Sequence, residues 1–106
     1  MPENIQNLLK ELRTELNRLY GSRLKGLYLF GSHARGDQDS ESDVDMLIVL
    51  DDVPAYGAEI DRTSALASTL SLKYGVSIST IFMSQQEWLE GNSFLLRNVR
   101  QEAVTV

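Results

Sequence analysis

Two short stretches of this 106-residue chain carry side chains whose types and spacing could do chemistry: Gly31-Ser32 and Asp43-Val44-Asp45. Glycine admits a ligand close to the backbone, and the amides that follow it, with the Ser32 hydroxyl, can aim donors at phosphate oxygens. On a strand, residues two apart project from one face, so Asp43 and Asp45 stand side by side. Two such carboxylates repel each other unless a cation lies between them. Mg²⁺ suits the pair, because it commonly takes one or two protein carboxylates and fills its shell with substrate phosphates and water. Each stretch alone is a weak signal: strand–Gly–Ser is common, and Asp43 could cap a turn while Asp45 faces solvent. Together they set a phosphate cradle beside a metal pair. His33-Ala34-Arg35-Gly36, lying between them, adds a guanidinium that can grip phosphate through two N–H groups. Nucleotidyl transfer needs such a set: two ions orient a triphosphate, stabilise the departing pyrophosphate and activate a hydroxyl.

The elements that must position these residues are legible around them. Ile5, Leu8, Leu9, Leu12, Leu16, Leu19 and Tyr20 recur at spacings of three and four, which predicts a helix over about 4–20 with all of them on one face, stopped by Gly21. Leu24 to Phe30 reads as a buried strand ended by Gly31-Ser32. Ser32 to Arg35 opens a short helix, and Val44 to Leu50 is a second strand. A helix over about 58–74 turns Ile60, Thr63, Ala67, Leu70 and Tyr74 inward, and Val76 to Met83 alternates as a third strand. Ser84-Gln85-Gln86-Glu87 matches a capping box and starts another helix carrying Trp88 and Leu89. After Gly91-Asn92-Ser93, Phe94 to Glu102 forms the last helix. Trp88, Phe82 and Phe94 read as core, and Arg97 and Arg100 as a solvated face. Helices alternating with strands over short connections make an α/β domain of three or four strands.

Composition narrows the classes. No cysteine means no disulfide scaffold, thiolate metal site or cysteine nucleophile, and one histidine excludes a multi-histidine metal site. No apolar run approaches the roughly 20 residues that span a bilayer, and the first residues lack the features of a signal peptide. The formal charge of −5 argues against a dedicated nucleic-acid binder. These features predict a soluble, cytoplasmic protein of one domain. The charge is local: seven of the 15 acids are Asp37, Asp39, Glu41, Asp43, Asp45, Asp51 and Asp52.

Gly31-Ser32-His33-Ala34-Arg35-Gly36, followed by Ser42-Asp43-Val44-Asp45-Met46-Leu47-Ile48-Val49, resembles the signature of the DNA polymerase β-like nucleotidyltransferase superfamily. More narrowly it resembles the minimal nucleotidyltransferases (MNT) of bacteria and archaea. The leading helix and the tail Arg97-Asn98-Val99-Arg100-Gln101-Glu102 also recur in that group's pattern, so the resemblance covers most of the chain. It implies an α/β (α+β, mixed-sheet) nucleotidyltransferase core of three to four strands backed by helices, as one minimal domain over 1–106. It implies that Gly31 and Ser32 hold the β- and γ-phosphates of ATP, with Arg35 assisting. Asp43 and Asp45 would be the catalytic carboxylates, coordinating two Mg²⁺ ions. His33 falls at a variable position and is given no catalytic part.

One departure stands out. Many superfamily members carry a third carboxylate on a later strand, whereas Val76-Ser77-Ile78-Ser79-Thr80-Ile81-Phe82 has no acid. Ser77 or Ser79 takes that place, and a neutral hydroxyl is a poor metal ligand and a poorer base. Asp51 and Asp52 are no substitutes, being roughly 20 Å away along the second strand. Members of the group often act as antitoxins beside helical HEPN-domain ribonucleases, some by transferring AMP to a tyrosine of that partner. The resemblance therefore implies a Mg-dependent protein adenylyltransferase assembling with a HEPN toxin. A catalytically impaired antitoxin that neutralises by binding alone is the second reading, and transfer to a small molecule the third. No residue that can be placed from sequence fixes the base or the acceptor.

Overall fold

The computed structural model describes residues 1–106. Its elements follow from the apolar periodicities. Helix α1 (Glu3–Tyr20) buries Ile5, Leu8, Leu9, Leu12, Leu16 and Tyr20 along one stripe. Leu19 shares their angular position yet is 43% exposed. In that last turn the Tyr20 ring closes the core, edge-on to Phe82, and the expectation that all seven face inward fails there.

Strands β1 (Leu24–Phe30), β2 (Val44–Leu50), β3 (Ile78–Ser84) and β4 (Val104–Thr105) form one sheet in the order β3-β2-β1-β4. β1 is antiparallel to both β2 and β4, while β2 and β3 run parallel. The parallel pair needs a crossover, and helix α3 (Tyr56–Tyr74) supplies it. This is the expected mixed α+β sheet backed by helices. β4 was not legible, since two exposed residues show no periodicity.

Central β2 is buried on both faces, unlike a half-buried strand. Val44, Met46, Ile48 and Leu50 join Leu27, Leu29 and the α1 stripe in one apolar cluster. Leu47 and Val49 point the other way, into a second cluster with Met83, Leu96 and Val99. That second face is covered by helices α4 (Gln85–Glu90) and α5 (Phe94–Glu102). The capping box forms as expected: the Glu87 N–H donates to Ser84 Oγ at 3.1 Å. Of the three aromatics expected in the core, Phe82 is buried and Trp88 half-buried against Tyr28, but Phe94 is 74% exposed. Phe94 opens α5, whose inward positions are Leu96 and Val99. Ile60, expected inside, lies outward on α3. Glu59 is buried in its stead, accepting a hydrogen bond from the Tyr20 hydroxyl at 2.8 Å, with Arg23 at 3.5 Å and Arg62 at 3.4 Å. No helix is long and apolar enough to cross a membrane.

Candidate active site

Antiparallel pairing of β1 and β2 brings the two sequence motifs together. Phe30, the last residue of β1, pairs with Asp45 near the start of β2, so the chain leaves β1 directly beside the acid pair. Gly31 then turns with φ 77°, a left-handed conformation that favours glycine. A Cβ built there would lie 2.2 Å from Asp45 Oδ2, so any side chain would push the turn and the carboxylate apart. Helix α2 (Ser32–Arg35) follows, with the Ala34 and Arg35 amides both donating to the Gly31 carbonyl at 3.1 Å. The Ser32 hydroxyl and the first amides of α2 follow directly on this contact.

Asp43 is held from both sides. The Val44 N–H donates to the Ser77 carbonyl at 2.8 Å, and the Asp39 N–H donates to the Ser42 hydroxyl at 3.0 Å. The Glu41 N–H donates to Asp39 Oδ1 at 2.8 Å, so the acidic segment is a hydrogen-bonded turn rather than a loose, self-repelling loop. Buried His33 places its Nε2 3.4 Å from the Ser42 carbonyl.

Neither Asp43 nor Asp45 forms an ion pair, although Asp37, Asp51, Glu59 and Glu102 all do. Burial, and then the Asp43 charge, hold the Asp45 carboxyl above the usual range. Two unpaired carboxylates, one partly withdrawn from water, make a donor set that a hard cation would relieve. No group of three or more His, Cys, Asp or Glu side chains forms a ready-made metal cage.

Arg35 stands at the edge of the turn. Its Nε donates to Asp37 at 3.1 Å and its Nη1 to Glu102 at 3.0 Å, so two of the five N–H donors of the guanidinium are engaged within the chain. Ser79, one of the two serines read at the place of the third carboxylate, lies directly opposite Asp45 across the parallel pair. A third carboxylate does reach the region from elsewhere: Glu102, at the end of α5, accepts the Gly31 N–H at 3.0 Å. From sequence alone Glu102 is a member of the tail motif with no part in the site. Arg100, read as a solvated face, instead donates to the Trp88 carbonyl and stacks over the Trp88 ring at 5.5 Å, tying α5 to α4. Arg97 remains exposed.

A strand, a Gly-Ser turn packed against a carboxylate, and a second carboxylate two residues away define a nucleotidyltransferase core. The nucleotidyltransferase domain model matches residues 9–103, and the chain belongs to that family, in its minimal branch. A Methanocaldococcus jannaschii relative, whose name gives protein adenylyltransferase as an inferred activity, is 41% identical over 83 residues, covering 78% of this chain and 77% of its own length. The protein adenylyltransferase MntA of Thermococcus cleftensis is 32% identical over 71 residues, 67% of this chain and 70% of its own. Among solved structures, an MNT antitoxin bound to a tri-AMPylated HEPN toxin from Shewanella oneidensis shares the fold. The TM-score is 0.56 at 19% identity, over 96% of this chain and 70% of that one.

Proposed function

We propose that this chain transfers AMP from ATP to a hydroxyl, that of a tyrosine, on a partner HEPN-domain ribonuclease, and so acts in the cytoplasm as its antitoxin. One observation carries the reading: the Gly31 backbone lies against the Asp45 carboxylate, so phosphate donors and metal ligands share a single contact. The protein adenylyltransferase names of its relatives support AMP transfer, and the AMPylated HEPN toxin beside a protein of this fold supports the acceptor. The formal charge of −5 suits a basic partner.

In this reading the Ser32 hydroxyl and the turn that begins at Gly31 hold the β- and γ-phosphates, with Arg35 adding positive charge at the edge. Asp43 and Asp45 hold the metal. Bound there, a pair of Mg²⁺ ions would neutralise the triphosphate and favour ionisation of the attacking hydroxyl. The acceptor oxygen forms a bond to the α-phosphorus, the bond to the bridging oxygen breaks, and pyrophosphate leaves. The acceptor's proton passes to solvent, because the place opposite Asp45 holds the neutral Ser79 and not a carboxylate base.

That same serine favours a second reading, neutralisation of the partner by contact alone. Incubating the chain with Mg²⁺, labelled ATP and the partner separates the two. Label on the partner, lost with EDTA and in the Asp43→Asn/Asp45→Asn variant, supports transfer. No label, with neutralisation intact in that variant, supports contact alone.

A further inference from the structure

Glu102 ends α5 on the sheet face that carries Asp45, and both its oxygens are engaged. Oε1 accepts the Gly31 N–H and Oε2 accepts from Arg35 Nη1, each at 3.0 Å. One carboxylate thus spans the two ends of the turn, the amide that enters α2 and the guanidinium that closes it. This engagement argues against a part as base or metal ligand. The Arg35 guanidinium first, and then the Gly31 amide, hold the Glu102 carboxyl below its usual range.

Gly31 is also where the turn touches the acid pair, since a Cβ there would sit 2.2 Å from Asp45 Oδ2. Whatever fixes the Gly31 amide therefore fixes the gap between the turn's donors and Asp45. Glu102 is itself firmly placed. Leu96 and Val99 bury α5 against the sheet, and the Ala103 N–H donates to the Val99 carbonyl at 2.8 Å. Immediately afterwards Val104 pairs with Leu29, and the Val106 N–H donates to the Leu27 carbonyl at 2.9 Å. The last segment of the chain is a clasp across the outer edge of β1, and Glu102 is its point of contact with the turn.

We infer that Glu102 is a positioning residue: it braces the Gly31-Ser32 turn against Asp45, and Arg35 serves it as counter-charge more than as a phosphate ligand. The bracing itself is independent of ligand; its consequence for nucleotide rests on the function proposed above.

Two measurements test it. In the free protein, amide hydrogen exchange at Gly31 should quicken at least about tenfold in Glu102→Ala, the loss expected for a hydrogen bond to a charged group. Glu102→Gln, which keeps an acceptor for the Gly31 N–H, should restore most of the protection. In calorimetry with ATP and Mg²⁺, Glu102→Ala should bind about tenfold more weakly, with Glu102→Gln recovering most of the loss. The double variant E102Q/R35A should bind no worse than the weaker single variant, because the two residues act as one unit. Wild-type exchange at Gly31 in Glu102→Ala overturns the brace. Unchanged or tighter nucleotide binding in that variant overturns its functional role, tighter binding meaning that the carboxylate competes with phosphate. Additive losses in the double variant overturn the part given to Arg35. Should the wild-type chain bind no ATP, the nucleotide reading fails while exchange still decides the brace.

Discussion

Glu59, in the first turn of α3, is buried and Asp45, at the start of β2, is half-buried, and their surroundings are opposite. Glu59 meets a tyrosine hydroxyl and two guanidinium groups, all supplied by the protein. Burial and the Glu59 carboxylate in turn hold the Tyr20 phenol well above its ordinary range. Asp45 meets another carboxylate, a glycine backbone and no cationic partner within ion-pair distance. An acid whose counter-charge comes with the fold is part of the fold. One left beside a second acid, with no ion-pair partner supplied by the fold, costs stability that an external cation can return.

The contrast is breakable by substitution, most strongly at the acid pair. Asp43→Asn/Asp45→Asn should abolish AMP transfer, by about a thousandfold or more, since on the proposed function it removes the two carboxylates that would hold the metal. It should not lower the midpoint of urea unfolding, because it also removes a repulsion; a clear loss of stability would place Asp45 with Glu59 as structural. Gly31→Ala should weaken ATP binding by about a hundredfold in calorimetry, combining the left-handed backbone penalty with displacement of Asp45. Binding at wild-type strength would separate the turn from the acid pair. Glu59→Ala should cost about 2–3 kcal/mol in urea unfolding, below the full value for a broken buried pair because Arg23 and Arg62 remain partly solvated. ATP affinity of the folded variant should stay unchanged, and a large fall would tie the two regions together.

The smallest effect is on pH. Glu102 has its carboxyl held below the ordinary 4.5 by Arg35 and the Gly31 amide. Its stabilising contribution is therefore complete above the unfolded value and lost as pH falls through the lower folded one. Thermal unfolding should show wild type slightly more stable than Glu102→Gln at neutral pH, with the difference closing as acid is added below 4.5. A difference that persists in acid would show that charge at Glu102 is immaterial.

Much of this was legible before any coordinates. The bounds of β1, β2 and α5 follow from their apolar runs and the residues that end them, and the Ser84 cap from a single four-residue pattern. Gly31, Ser32, Asp43 and Asp45 stood out as candidates because two individually weak patterns lie close together in sequence. Phe94, Ile60 and Leu19 misled, because hydrophobicity marks what can be buried and only the neighbours decide what is. Arg100 misled in the opposite sense, its guanidinium finding a partner on α4, while Glu59 lies in no pattern that announced its burial beside Tyr20. β4 left no pattern, since two residues against one strand edge need no periodicity.

The sequence by itself determined the order of the helices and of β1 to β3, the glycine at the turn and the identity of the acid pair, because these depend on residue type and local spacing. Tertiary structure decided what those residues face. Pairing of Phe30 with Asp45 set the turn against the carboxylate, parallel pairing put Ser79 where an acid was expected, and the packing of α5 carried Glu102 to Gly31 across 71 residues of chain. Contacts of that separation depend on how the sheet closes, which no local pattern encodes.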